Sequence, residues 1–438
     1  MLKVTTNKTA QKVLFSIDYL GNSQELYFKG SRLNTASLGD AAFCAFLPIA
    51  MKKGLGLSID RPVSKQLAMN SQTIQGIYST WFNDMAAVDI KLKQHSAAKR
   101  GSKVASFFSC GIDSLDTLLS HFEEIDYLVY VEGYDVWPHE KSYLKFMRQK
   151  IREAAKLYKK DVIFITTNLH LELDTHIRWG DQYHGAALAT AAHLLPVDIG
   201  KVYIPSTFTY SSLLPWGSHP ILDPLWSSGS LQIVHDGAAK SRAEKILKVY
   251  SDSMGIAPNI VRVCLGDRTT GRHNCSECEK CARTMLVIDL LNFKNKAKTF
   301  NFKKHKNFQA LIDEIGDLPM ELLRTGETIQ FFRNGQATYD SDKLAVLESK
   351  FQDMTKTGFS STYYDTFEKF IPTDLIYRTK LSDCIKDVSV RHKDNAIDKT
   401  KKMKGIIDSS KSVAIKLYSS QNIVRLKHVK KLFKKHQD

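Results

Sequence analysis

The sequence lacks a hydrophobic run long enough to cross a membrane. Its longest apolar stretch, residues 41–51, contains Pro48 and is much shorter than the roughly 20 residues that a transmembrane helix needs. No apolar signal segment follows Met1, since the chain opens Met-Leu-Lys-Val-Thr. These absences predict a protein without a transmembrane helix that stays in the reducing cytoplasm.

Acidic residues are scarce near the end of the chain. Residues 385–438 contain fifteen Lys or Arg but only five Asp and no Glu, so most of the formal net charge of +16 lies there. The cationic tail at residues 427–435 could dock on nucleic acid or on an anionic surface. A solvated terminal helix is the equally simple interpretation.

The 438 residues are enough for two or three domains, and a hydrophobic fraction of 43% is enough for packed cores. The sequence pattern of residues 1–95 predicts an N-terminal α+β region that begins with a β-hairpin, with strands at 12–17 and 25–28. The composition of residues 293–438 predicts a mainly helical, basic C-terminal region.

Residues 96–292 alternate predicted strands with predicted helices. This pattern favours an α/β fold with a mainly parallel, doubly wound, Rossmann-like sheet. In such sheets, ligands bind beyond the carboxyl ends of the strands, where the strand order reverses. The predicted strands are residues 104–108, 127–131, 162–166 and 202–205, and the predicted helices include 142–158 and 183–195.

A small-residue turn follows the first of these strands and leads into a helix. It lacks the Gly-Lys-Ser/Thr of a Walker motif, but unpaired amides at a helix start can bind phosphate. We expect Gly111 to allow close approach of the anion and Asp113 to cap a helix beginning at Ser114. A side chain at Cys110 is tolerable only if its φ is negative. A turn without a ligand is the alternative. The candidate nucleotide-binding residues are Ser109, Cys110, Gly111, Ile112, Asp113 and Ser114.

Four of the seven cysteines lie within eighteen residues, with the spacing C-x10-C-x2-C-x2-C. In a reducing compartment such a cluster binds metal more often than it forms disulfides. Four thiolates satisfy tetrahedral Zn²⁺ and leave no open position, so we expect a structural zinc site. An iron–sulfur cluster and a metal-free set of thiols are the alternatives. The candidate ligands are Cys264, Cys275, Cys278 and Cys281.

Two further segments offer candidate substrate residues. The loop at residues 210–228 contains Trp216, His219 and Asp223, whose aromatic and polar groups suit a flat, hydrogen-bonding substrate. Trp179 and His184 precede or open a predicted helix. Structural packing is the competing interpretation for all five.

The phosphate turn resembles the Ser-Gly-Gly-x-Asp-Ser loop of the PP-loop ATP pyrophosphatases. Residues 241–244, Ser-Arg-Ala-Glu, and the cysteine cluster follow in the order seen in the 7-cyano-7-deazaguanine synthase family, which has Ser-Lys-Ala-Glu and a similar zinc site. The resemblance covers residues 104–289. The chain departs from the family at Cys110, at Arg242, in its tryptophan-rich loop and in its flanking regions.

The resemblance implies an adenine nucleotide alpha-hydrolase-like enzyme that uses ATP and Mg²⁺ and contains Zn²⁺. A substrate carboxylate would attack the α-phosphorus, pyrophosphate would leave, and an amine donor would convert the acyl-adenylate into an amide or a nitrile. Asp113, Ser114 and Arg242 would be catalytic, and Ser241 and Lys245 would contact the nucleotide. The substrate would be a small or conjugated carboxylate, and the assembly could be a homodimer.

Two other functions remain open from the sequence. One is an RNA-modifying PP-loop enzyme in which the basic tail holds the nucleic acid. The other is a non-catalytic binding module, stabilised by zinc, in which Cys110 has disabled the loop.

Overall fold

The computed structural model describes residues 1–357, except for residues 10, 20–21, 97–98, 253, 265–271 and 316–318. The predicted tail at 427–435, and every other part of the predicted C-terminal region beyond residue 357, lie outside the described residues.

The described residues form twelve strands: β1 (Leu2–Lys8), β2 (Lys12–Tyr19), β3 (Asn22–Lys29), β4 (Leu57–Ile59), β5 (Val63–Ser64), β6 (Ile90–Lys91), β7 (Gln94–His95), β8 (Lys103–Phe107), β9 (Tyr127–Glu132), β10 (Asp161–Thr167), β11 (Ile199–Pro205) and β12 (Gln232–Asp236). They also form eleven α-helices: α1 (Leu38–Lys53), α2 (Lys65–Trp81), α3 (Ile112–Ser120), α4 (Lys141–Leu157), α5 (Leu169–Leu173), α6 (His184–His193), α7 (Arg242–Tyr250), α8 (Glu279–Leu290), α9 (Phe308–Asp313), α10 (Pro319–Arg333) and α11 (Ser341–Thr357).

Ten strands form one mixed, mostly parallel sheet in the order β12-β11-β8-β9-β10-β3-β2-β1-β4-β6. The five strands from β8 to β12 are mutually parallel, and counted along the chain their spatial order is 3-2-1-4-5. The chain therefore reverses its direction of winding between β8 and β11, which is where open α/β sheets bind ligands.

The N-terminal hairpin extends this sheet. Strands β2 and β3 pair antiparallel, with Val13 opposite Phe28, as the sequence predicts. Strand β3 then pairs antiparallel with the end of β10, where Thr166 lies opposite Lys29. The sheet is therefore continuous across residue 95.

Helices cover both faces of the parallel strands. One hydrophobic core joins the N-terminal region to α6 and includes most of α1. Every residue of α1 from Leu38 to Met51 is buried. A second core on the opposite face joins α3, α4, α7 and α8 to α10 and α11. This α/β arrangement presents the carboxyl ends of the parallel strands at one edge. No helix within the described ranges is both long and apolar enough to span a membrane.

Candidate functional site

The turn after β8 lies at the point where the sheet reverses its winding. The Ser109 amide donates a hydrogen bond to Ser114 Oγ at 3.3 Å, and Ser114 Oγ donates to the Gly111 carbonyl at 3.0 Å. The amides of Cys110, Gly111 and Ile112 have no intramolecular acceptor among the residues that the structure covers. This end of α3 therefore presents free donors to an anion.

One expectation about this turn is wrong. Helix α3 begins at Ile112 after Gly111, so Asp113 lies in its first turn and does not cap it. Cys110 has a φ of 61°, in the left-handed region, so the condition of a negative φ for a tolerable side chain is not met. That conformation favours glycine and costs a side chain about 1–2 kcal/mol.

Asp113 joins the turn to α7. Its carboxylate accepts hydrogen bonds from Arg242 Nη1 at 2.7 Å and from Lys245 Nζ at 3.3 Å. Burial alone would raise the pKa of Asp113, but these two cations outweigh it and lower the pKa to about 2. Lys245 also donates to the Ser206 carbonyl at 2.7 Å, and so ties the loops after β8 and β11 together across the reversal point.

Ser241 is half-buried and takes part in a capping interaction at the start of α7. Its Oγ accepts from the Glu244 amide at 3.2 Å, and the Glu244 carboxylate accepts from the Ser241 amide at 2.6 Å. The two residues form a capping box that begins α7. This box fixes the end of the helix from which Arg242 and Lys245 extend.

Arg262 lies against the same turn, although the sequence did not single it out. Its amide donates to the Cys110 carbonyl at 2.8 Å, and its Nε donates to the Tyr143 hydroxyl at 3.0 Å. Its Nη2 is buried and has no partner within the described part of the chain. The charge of Asp135 already favours the Arg262 guanidinium, and an anion that reached the unpartnered Nη2 would satisfy it.

More cations converge from the C-terminal helices. Burial and the charge of Arg283 lower the pKa of Lys280, and the same causes lower the pKa of Arg324 to about 10. Glu321 offsets part of this charge through ion pairs with Arg324 at 2.8 Å and with Arg283 at 3.5 Å. The charge of Arg242 also acts on Arg324. An anion among these groups would relieve the remaining repulsion.

Three of the five candidate substrate residues lie on the α6 side of the sheet edge. Asp223 accepts hydrogen bonds from Ser218 Oγ at 2.7 Å, from the His219 amide at 3.2 Å and from His235 Nδ1 at 2.7 Å. Burial lowers the pKa of His219 to about 4. Burial also lowers the pKa of His184, although the charges of Asp135 and Asp223 act in the opposite direction. This side therefore presents neutral imidazoles and carboxylates.

The predicted aromatic residues divide between packing and the site. The Trp179 ring is buried and stacks on His170, with ring centroids 3.6 Å apart, so it supports the fold. Trp216 is half-buried and packs edge-on against Phe208, whose ring carries the Arg324 guanidinium at 5.7 Å. Trp216 and the Arg324 guanidinium therefore share the Phe208 ring as a neighbour.

The four clustered cysteines come together as a candidate metal centre. Their sulfur atoms all lie within 4.8 Å of one another, and the Cys264–Cys278 and Cys275–Cys281 pairs are each 3.8 Å apart. A tetrahedron with metal–sulfur bonds of about 2.3 Å has edges of about 3.8 Å, so the spacing fits one metal ion such as zinc. An iron–sulfur cluster would hold the sulfurs farther apart, because its own atoms lie between them.

Backbone contacts hold the cysteine cluster in shape. The amide of Cys278 donates to Cys275 Sγ at 3.2 Å, as in a metal-binding turn. Asn274 accepts from the amides of Val263 and Cys264 at 2.8 and 3.2 Å, and donates to the Val261 carbonyl at 2.9 Å. The cluster therefore fixes the segment that carries Arg262 and the start of α8 that carries Lys280.

Comparison with known proteins gave no match to a protein-family model, to a curated protein or to a solved structure. The function must therefore be argued from the site itself. The structure brings the predicted turn, Arg242 and Lys245 together at the carboxyl ends of the parallel strands. His184, His219 and Asp223 lie on the α6 side of this sheet edge. Sequence reasoning missed Asp135, Arg262, Lys280, Arg324 and His235.

Proposed function

We propose that the protein is an ATP-dependent ligase of the PP-loop type, resembling the 7-cyano-7-deazaguanine synthases, that adenylates a substrate carboxylate and releases pyrophosphate. The main support is the turn at residues 109–114, whose free amides face the point where the sheet reverses. Arg242 pairs with Asp113 of this turn, and the Arg262 amide donates to the Cys110 carbonyl. Arg324 is close enough to Arg242 for the two charges to interact. Polyphosphate is the ligand chemistry that this combination suits best.

The proposed roles follow from the contacts. The amides of the turn bind the phosphates, and Arg242 and Lys245 stabilise the charge that develops on the leaving pyrophosphate. Asp113 positions both cations, because its ionised carboxylate is their common partner. Mg²⁺, carried in with the nucleotide, would supply further charge neutralisation.

The carboxylate substrate and the amine would bind on the α6 side of the sheet edge. A carboxylate oxygen of the substrate attacks the α-phosphorus of ATP, and pyrophosphate leaves. The amine then takes the acyl group and releases AMP, which forms an amide. Neutral imidazoles such as His184 suit this second step, because an ammonium ion must lose a proton before it can attack.

The metal in the cysteine cluster is proposed to be zinc in a structural role. Four protein ligands leave no position for substrate. The site would act indirectly, by holding Arg262 and Lys280 beside the turn. Thiolate ligands of this kind fit a protein of the reducing cytoplasm.

The first experiment measures binding of a non-hydrolysable ATP analogue with Mg²⁺ by calorimetry. Arg242→Gln should weaken binding at least tenfold, since it removes a charged contact from a partly buried site. Lys248→Gln is the matched control, because Lys248 lies on the same helix and donates instead to Ser120 at 2.6 Å. Equal binding by the two variants would argue against a phosphate site at this turn.

The second experiment measures the products of ATP turnover with a panel of carboxylates, using hydroxylamine to trap acyl-adenylates. AMP and pyrophosphate should appear, and Asp113→Asn should abolish them. Asp116→Asn removes a buried, ion-paired carboxylate one turn along the same helix, where its partner is Lys240, and should retain turnover. Release of ADP by the native protein would overturn the proposal.

A further inference from the structure

A concave site beside helix α4 has a lining that contains none of the residues of the proposed nucleotide site. It is a groove of about 330 Å³ at the carboxyl ends of β9 and β10, against helix α4. That volume is in the range of small-ligand sites. The lining residues are Glu132, Pro138, Lys141, Leu144, Lys145, Arg148, Arg152 and Thr166.

The only carboxylate in this lining is already neutralised. Glu132 is fully buried and forms a two-pronged ion pair with Arg148, in which Nη2 donates to Oε2 at 2.6 Å. Thr166 Oγ1 donates to the same oxygen at 2.6 Å. Arg148 is thus committed to the fold, and the groove retains three other cations.

Those three cations have no carboxylate partner in the described part of the chain: Lys141, Lys145 and Arg152. Arg152 contacts only an aromatic face, with its guanidinium 5.0 Å from the centre of the Phe164 ring. Lys150 on the same helix differs, since it pairs with Glu153 at 2.7 Å. The lining of the groove therefore carries a local excess of unpaired positive charge.

The helix itself adds to the positive potential. Lys141 lies in the first turn of α4, which contains no acidic residue, and a cation there opposes the helix dipole. Lys145 follows one turn later, and like charges at this spacing repel. Glu140, just before the helix, accepts from the Trp137 amide at 2.6 Å and does not line the groove.

We propose that this groove binds a phosphate-bearing ligand. A phosphate group carries up to two negative charges and can pair with two of these cations, whereas one carboxylate carries a single charge. A ligand with several phosphates can extend along α4 from Lys141 to Arg152. The phosphate could belong to a small free ligand or to a nucleic acid backbone, which would place RNA on α4 independently of the basic tail.

The test compares two double variants of the full chain. K141Q/K145Q removes two groove cations, and K150Q/K156Q removes two cations of the same helix that do not line the groove. Both pairs contact solvent, so melting temperatures should match that of the native protein. Binding of inorganic tripolyphosphate and of a fluorescent single-stranded 12-nucleotide oligouridylate is measured for each, in the native and the Arg242→Gln backgrounds.

A small phosphate ligand predicts that K141Q/K145Q weakens tripolyphosphate binding roughly tenfold while K150Q/K156Q changes it less than twofold. A nucleic acid ligand predicts the same contrast for the oligouridylate alone. The slope of log affinity against log salt should then fall in magnitude by about 1.4, since each single-strand phosphate contact contributes about 0.7.

Equal effects of the two double variants on both probes would overturn the proposal, because the groove would then be an ordinary solvated face. The Arg242→Gln background separates this result from the proposed function. If Arg242→Gln leaves ATP-analogue binding intact while K141Q/K145Q still weakens phosphate binding, the ligase proposal fails and the groove remains.

Discussion

Cys110 provides a direct test of the backbone conformation at the proposed phosphate turn. Its φ of 61° should cost any residue with a side chain about 1–2 kcal/mol, whereas glycine adopts this conformation freely. Glycine in turn loses about 0.5–1 kcal/mol relative to alanine through its greater freedom in the unfolded chain. The difference between those two estimates leaves Cys110→Gly more stable than Cys110→Ala by about 0.8 kcal/mol, the centre of a range from roughly 0 to 1.5 kcal/mol.

Comparing glycine with alanine cancels the loss of the buried thiol, which both variants share. Cys44 is the matched control, because it is also a buried cysteine but lies inside helix α1. There, alanine should be the more stable residue by about 1 kcal/mol. The assay is urea unfolding followed by tryptophan fluorescence, with midpoints compared at equal slopes. If alanine is the more stable residue at both positions, Cys110 does not occupy the left-handed region.

Three further predictions test other parts of the structure. The purified protein should contain one metal ion per chain. Cys278→Ser should lose the metal and melt several degrees lower, whereas Cys44→Ala should keep the metal. Full metal content in Cys278→Ser would contradict the four-cysteine centre. Burial, reinforced by the nearby His235, lowers the pKa of His219 from 6.5 to about 4, so stability should fall as the pH drops from about 6.5 to 4. His219→Asn should flatten that part of the urea-midpoint profile, and an unchanged profile would count against a buried neutral ring. Gly185→Ala should lower the free energy of unfolding by roughly 1–3 kcal/mol, since the new Cβ would lie 2.2 Å from the Gly217 carbonyl oxygen. In the control Gly76→Ala, on α2, the new Cβ meets no atom within 4 Å and should raise the free energy of unfolding by about 1 kcal/mol. Similar unfolding midpoints for the two variants would refute the close approach.

The parallel core was predictable because its strands are short apolar runs separated by helical patterns. Strand β12 was missed, since its five residues include Gln232, His235 and Asp236 and carry little hydrophobic signal. The pairing of β3 with β10 was also beyond sequence reasoning. It joins Lys29 to Thr166 across more than a hundred residues, and hydrophobic patterns carry no information about which strand edges meet.

The candidate site was predictable where its residues are close together in sequence. The turn and the cysteine cluster are both local motifs, and Ser241 with Glu244 has the spacing of a capping box, which the sequence alone could have revealed. Arg262 reaches the turn, and Arg324 approaches Arg242, only through tertiary packing. Sequence reasoning also overlooked one local signal, which is the position of Lys280 between the candidate metal ligands Cys278 and Cys281.

The continuity of the ten-stranded sheet has a practical consequence for dissecting the protein. A shortened chain that began near residue 96 would leave the outer edge of β10 unpaired and would strip the apolar cover from the face that α1 protects. Such a fragment should aggregate, because the exposed edge of β10 could pair with a strand of another copy. Mutations placed in the intact chain, and not deletions, are therefore the way to separate the contributions of its parts.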